Sequence, residues 1–285
     1  MQIRLSAFAD EAADDFGKQL RILQKERIPY IELRGVDGKN VAALTENEVK
    51  RCAEMLRDAK IRVWAVGSPL GKISLKDDFS AHLETAKRIF AAAKILGTDK
   101  IRVFSFYTAE PQREETEIFA RMTRLAALAK EYGVFLYHEN EKEIYGDTPQ
   151  RVKRLLGHVN GLKCVFDPAN FVQCGEDVSK AIDLLREDAD YYHIKDALSS
   201  GGEVVPAGEG DGQIDKIVSG IKKDTVLTLE PHLAAFKGYS EIDHTQLKGI
   251  KVYRSSEEAF SAAADALRKI LRKNNFKEEN GIWKK

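Results

Sequence analysis

Four short apolar segments, each roughly 30 residues from the next, end in a residue of the metal-ligand type. They read VFLYHENE at Glu139, LKCVFDPAN at Asp167, ADYYHIKD at His193 and DTVLTLEPH at Glu230. A strand with its crossover helix takes about 30 residues or more, so these are four successive strands of one repeating β/α chain. Parallel strands in a closed barrel all end at one face, where such folds build their sites. Two Glu, one Asp and one His therefore converge at one mouth. A lone carboxylate at a strand end is most simply a helix cap or a surface ion pair. Four in succession at a barrel mouth would be costly without a counter-charge. A divalent cation resolves that cost and suits these ligands.

The rest of the chain continues the alternation. Apolar runs predict strands at Ile3–Ala7, Tyr30–Leu33, Arg62–Val66, Ile101–Ser105, Val134–His138, Lys163–Phe166, Tyr191–Ile194 and Val226–Leu229. Helical spacing predicts helices over 14–25, 82–96 and 116–131, with Gly97 and Gly133 as stops. Thr45 and Glu48 form a capping box, and Pro149 takes the first position of another helix. Eight strands with intervening helices define an α/β chain, a (β/α)8 TIM barrel of one domain over residues 1–273. The helix from Glu257 to Lys273 closes it. Residues 274–285 read as a polar, loose tail, and Leu233 to Val252 as a long loop over the site.

Composition narrows the function. The 45 basic and 45 acidic residues cancel, so no overall charge bias points to nucleic acid or an anionic membrane. Cys52, Cys164 and Cys174 are too few and scattered for a disulfide framework or a zinc ribbon. No signal sequence and no membrane span is apparent, so a cytoplasmic enzyme or binding protein is expected, with homo-oligomerisation left open.

The ordered motifs YIELR (30–34), HEN (138–140), FDPAN (166–170), HIKD (193–196), GEGDG (208–212) and LEP (229–231) span nearly the whole chain. In them the chain resembles the xylose-isomerase-like TIM-barrel superfamily of sugar and sugar-phosphate isomerases and epimerases. The resemblance implies a divalent ion (Mn²⁺, Zn²⁺, Mg²⁺ or Co²⁺) on Glu139, Asp167, His193 and Glu230. It also implies acid/base roles for Glu139 and Glu230 on a small sugar-like substrate. Proton abstraction next to a carbonyl leaves an enediolate that a divalent ion stabilises, and two carboxylates can take and return the proton. A lyase resembling the inosose dehydratases is the alternative. The endonuclease branch needs a three-zinc, histidine-rich cluster. Here Asn170 stands where many relatives have His, and the chain has only 6 histidines, so one metal and no DNA cleavage are expected.

Several residues are candidates to bind substrate. Glu32 and Arg34 share one side of a strand, so both face the barrel interior or neither does; Arg34 has an ion pair as its alternative. Lys72 follows strand three in Gly67-Ser-Pro-Leu-Gly-Lys72 and can hold a phosphate, carboxylate or keto oxygen. Asn170, Lys195 and His232 stand beside the predicted ligands. Asp196 either orients a ligand or caps a helix. Arg102 reads as structural. Phe8, Trp64 and Phe106 either wall a sugar ring or pack the core, and the GEGDG loop either folds over substrate or simply turns.

Overall fold

The helix starts follow from local capping chemistry in the computed structural model, which describes residues 1–234, 253–279 and 281–285. Helix α1 (Phe16–Lys25) begins where Asp15 accepts the Lys18 N–H. Helix α2 (Glu46–Ala59) opens on the Thr45–Glu48 capping box. Helix α3 (Phe79–Ile95) starts earlier than its periodicity suggested, because Asp78 accepts the N–H groups of Ser80 and Ala81. Helix α4 (Pro111–Glu131) likewise starts early, on a proline that needs no N–H partner. Thr148 caps α5 (Pro149–His158) and Asp167 caps α6 (Pro168–Gln173). Helices α7 (Val178–Leu185), α8 (Ile214–Gly220) and α9 (Ser256–Lys273) complete the outer layer. Most of the long loop expected over 233–252 lies outside the described residues.

The strands are β1 (Gln2–Ala7), β2 (Tyr30–Leu33), β3 (Arg62–Gly67), β4 (Lys100–Val103), β5 (Phe135–Glu139), β6 (Lys163–Phe166), β7 (Ala189–Ile194) and β8 (Thr225–Leu229). Each pairs in parallel with the next from β2 to β8, and β8 pairs with β1. Strands β1 and β2 lie side by side and complete the ring. Strand β4 ends at Val103 rather than Ser105. Beyond it, the N–H groups of Phe104 and Phe106 donate to the carbonyls of Leu70 and Gly71, so the loop after β3 takes over that edge.

Residues 274–285 are not a loose tail. Strands β9 (Lys277–Glu279) and β10 (Ile282–Lys284) form a hairpin, and β10 pairs antiparallel with Gln2–Arg4 of β1. The cause is amphipathic alternation hidden under a polar composition: Phe276 and Trp283 are buried while their neighbours face outward. Inside the ring, Trp64, Tyr137, Val165, Tyr191 and Val226 form an apolar floor. The polar site sits above it.

Candidate metal centre

Strands β5 to β8 each deliver one of the four predicted ligands to the same edge of the ring. The ligand atoms of Glu139, Asp167, His193 and Glu230 all lie within 4.8 Å of one another, and all four residues are buried. Bonds of about 2.0–2.2 Å place ligands at most roughly 4.4 Å apart, so a small contraction would let one ion reach all four. His193 Nδ1 faces Glu139 Oε1 at 2.9 Å and Glu230 Oε2 at 3.1 Å, while Nε2 faces Glu32 Oε2 at 3.1 Å. That orientation leaves Nδ1 as the ligand atom and Nε2–H as donor to a carboxylate, the usual support of a metal-ligating histidine.

The donor chemistry fits a divalent cation. Asp167 Oδ2 and Glu230 Oε2 are buried and accept no well-formed hydrogen bond from the described residues. Lys195 Nζ stands 3.1 Å from the first. Burial pushes the Asp167 carboxyl up to about 6, and Glu230 and Glu139 add to that push against Lys195. Burial acts on His193 in the opposite sense, yet Glu139 and Glu32 outweigh it and hold the imidazole proton well above its usual range. A cation among these oxygens would take over that proton's charge-balancing role.

Cations behind the ligands keep two of them ionised. Burial works to raise Glu139, but His193 and Arg102 outweigh it and hold the carboxyl at about 2; Arg102 Nη1 donates to its Oε2 at 2.7 Å. Burial likewise opposes ionisation of Glu230, and Lys195, His193 and His232 hold it well below the carboxylate range. Arg34 Nη1 donates to Glu230 at 2.9 Å, and the same guanidinium binds Asp10 and Glu11. Glu11, Glu230 and His232 form a second group with ligand-like spacing. Arg34 already supplies its positive charge, which favours a single ion.

The candidate substrate residues divide. Lys195 is buried beside Asp167, 3.9 Å from Glu230, and stays inside the site. Arg34 and Lys72 line a cavity next to it. Glu32 is fully buried behind His193 and also accepts from the Tyr191 hydroxyl at 3.0 Å, so it orients the histidine instead of meeting substrate. Asn170 donates to the Asn140 carbonyl at 2.8 Å and approaches Glu139 at 3.4 Å; it too is committed to the frame. His232 is buried, donates its backbone N–H to Glu11, and has Nε2 3.5 Å from Glu230.

Asp196 neither orients a ligand nor caps a helix. Its carboxylate accepts the N–H groups of Ala197, Gly208, Gly210 and Gly212, so the GEGDG loop is wrapped around it. A Cβ on Gly210 would come within 2.4 Å of its Oδ1. Phe8 does stand at the site, with its ring 5.1 Å edge-on from His193. Trp64 lies in the floor at the other end, and Phe106 packs against Phe79 and His82. Phe104 lines the cavity in its place.

Arg102, Glu11 and Asn140 were missed or undervalued in the sequence. Asn140 exchanges two hydrogen bonds with the Asp167 backbone and ties the ends of β5 and β6. The signal for Arg102 was available: an arginine inside the apolar run IRVF can be buried only if it is paired.

Parallel-strand closure defines a TIM barrel, and its mouth carries four residues that could hold a metal ion. The family model for xylose isomerase-like TIM barrels matches residues 28–270, and the chain belongs to that family. No curated protein matches the chain. Among solved structures, it is similar to the probable 3-DHS dehydratase AsbF of Bacillus anthracis, at 20% identity and TM-score 0.71, covering 94% of this chain and 99% of that one. It is also similar to the IOLI protein with a bound zinc atom, at 17% identity and TM-score 0.74, covering 96% and 99%. A third is a D-allulose 3-epimerase from Methylomonas sp., at 15% identity and TM-score 0.74, covering 94% and 98%. Likeness at these identities establishes the fold alone.

Proposed function

We propose that this protein is a divalent-metal-dependent isomerase or epimerase of a small sugar or other polyhydroxy carbonyl compound. The observation that carries the reading is the pairing of Glu139 and Glu230. They stand on different strands, both approach His193 Nδ1, and each pairs with its own arginine, Arg102 and Arg34 respectively. When bound at the four ligands, a divalent ion supplies Lewis acidity toward substrate oxygens. The chain's own part is proton handling. One glutamate takes the proton next to the carbonyl, and the other returns it. Arg102 and Arg34 fix the position of each carboxylate. The relatives named as an epimerase and as a zinc-holding protein fit this reading.

The test is isotopic. Substrate turned over in D₂O gains deuterium at the carbon next to its carbonyl. Glu139→Gln and Glu230→Gln each abolish turnover, because an amide cannot accept the proton; metal content falls less than activity, because the amide oxygen still faces the ion. Absence of deuterium uptake from any ketose, aldose or inosose, with metal fully loaded, would leave a binding protein instead.

A lyase is the second reading, and Lys195 favours it. A buried ammonium near Asp167 and Glu230 is placed to protonate a departing hydroxyl, and one structural relative is named as a probable dehydratase. Product mass separates the two: unchanged for isomerisation, lighter by one water for dehydration.

A further inference from the structure

Arg34, Lys72 and Arg102 do more than balance carboxylates. They line one cavity of about 340 Å³ together with Asn40, Ala43 and Phe104, and none of the described lining residues is acidic; the carboxylates that pair with the three cations, Glu141 on Lys72 at 3.2 Å among them, are not lining residues. The three cationic side chains are only 2%, 9% and 4% exposed. Phe104 lies under two of them, 4.4 Å from Lys72 Nζ and 4.5 Å from the Arg102 guanidinium carbon. Arg102 gives Nη1 to Glu139, while its buried Nε donates to nothing among the described residues. Since Arg34 and Arg102 each bond a ligand carboxylate, the cavity adjoins the metal centre.

The wall is matched to an acceptor. A sugar hydroxyl needs an acceptor for its own proton, and among the described lining side chains only Asn40 carries one. Its carboxamide, Asn40, already accepts the Ala42 N–H. Carboxylate and phosphate oxygens are acceptors only, and they form the stronger, charge-assisted bonds with Lys and Arg. Burial of the three cationic side chains reduces the solvent screening that weakens such attraction at an open surface. We infer that the cavity binds a carboxylate or phosphate carried by the substrate, so that the compound processed here is acidic and not a neutral sugar. This inference rests on the isomerase or epimerase reading for its carbonyl end.

Affinity, not turnover, provides the test. The Mn²⁺-loaded full-length protein is titrated calorimetrically with dihydroxyacetone and ribulose, with the phosphate esters of both, and with 5-ketogluconate. At least one acidic probe binds about tenfold or more tightly than the neutral ones; which probe does so separates phosphate from carboxylate. Lys72→Met cuts the preference to roughly threefold or less. Ala43→Glu, at an exposed position on the same wall, places a negative charge in the cavity without disturbing the core and removes the preference. Equal binding of acidic and neutral probes overturns the proposal, as does a preference that survives both variants or no acidic probe binding up to roughly 10 mM. Deuterium uptake by a neutral sugar without any acidic preference keeps the reaction and removes this inference. Acidic preference without deuterium uptake does the reverse.

Discussion

At the scale of single residues, the site is built by partners of ligands as much as by the ligands. Among the described residues Glu32 hydrogen-bonds His193 and Tyr191, and it thereby sets which imidazole nitrogen faces the centre. Glu32→Gln removes the carboxylate that favours Nε2–H. Mn²⁺ affinity measured by titration calorimetry should fall about 10- to 100-fold while the fold is kept; an unchanged affinity would contradict the role. The sequence put Glu32 and Arg34 on one side of a strand, and both are indeed interior. What it did not contain was the register shift between Ile31 and Glu32, or that Glu32 would meet His193 while Arg34 reached Glu230.

At the scale of elements, loops hold the site through backbone groups. The loop after β3 is pinned by a bond from the Gly71 N–H to His82 Nε2 at 3.0 Å. Gly71 has φ +89°, and a Cβ there would sit 2.0 Å from the Phe104 carbonyl oxygen, so only glycine fits. Burial, aided by the Arg121 guanidinium, lowers the His82 pKa from 6.5 to about 4. The unfolded chain therefore takes up this proton below pH 6.5, but the folded chain does so only near pH 4. Stability present above that window is lost as pH falls through it, by roughly 3 kcal/mol at most. His82→Gln keeps an acceptor for Gly71 and cannot titrate. Its urea-unfolding free energy should decline less steeply than wild type across that window, and parallel slopes would refute the assignment. His82 read as an ordinary helical residue because its partner comes from a loop whose path the periodicity does not encode.

At the scale of the molecule, the C-terminal hairpin ties the last residues to β1. Trp283→Ala removes a buried indole and should cost about 3–5 kcal/mol in denaturant unfolding; a loss under roughly 1 kcal/mol would show the hairpin to be dispensable. A groove of about 910 Å³ at the opposite end of the barrel, near Tyr30, Arg62 and Lys100, is lined by none of the four candidate ligands. No helix among the described residues is long and apolar enough to cross a membrane. Zero net charge and the lack of the histidines that a three-zinc cluster needs predict no nicking of abasic-site DNA. Nicking that persists through purification and disappears in His193→Ala would disprove this.

The eight-strand alternation, the helix caps and the convergence of Glu139, Asp167, His193 and Glu230 were legible in the linear chain. They depend on local periodicity and on the rule that parallel barrel strands end at one face. The pairing of Arg102 with Glu139, the wrapping of Gly208–Gly212 around Asp196, the burial of Trp283 and the cationic cavity beside the ligands were decided by the tertiary structure. Each joins groups far apart in sequence, and whether a charged side chain is a counter-ion, a scaffold or a binding group depends on what lies within about 3 Å of it. That distance is set by packing between strands and loops, which no spacing along the chain specifies.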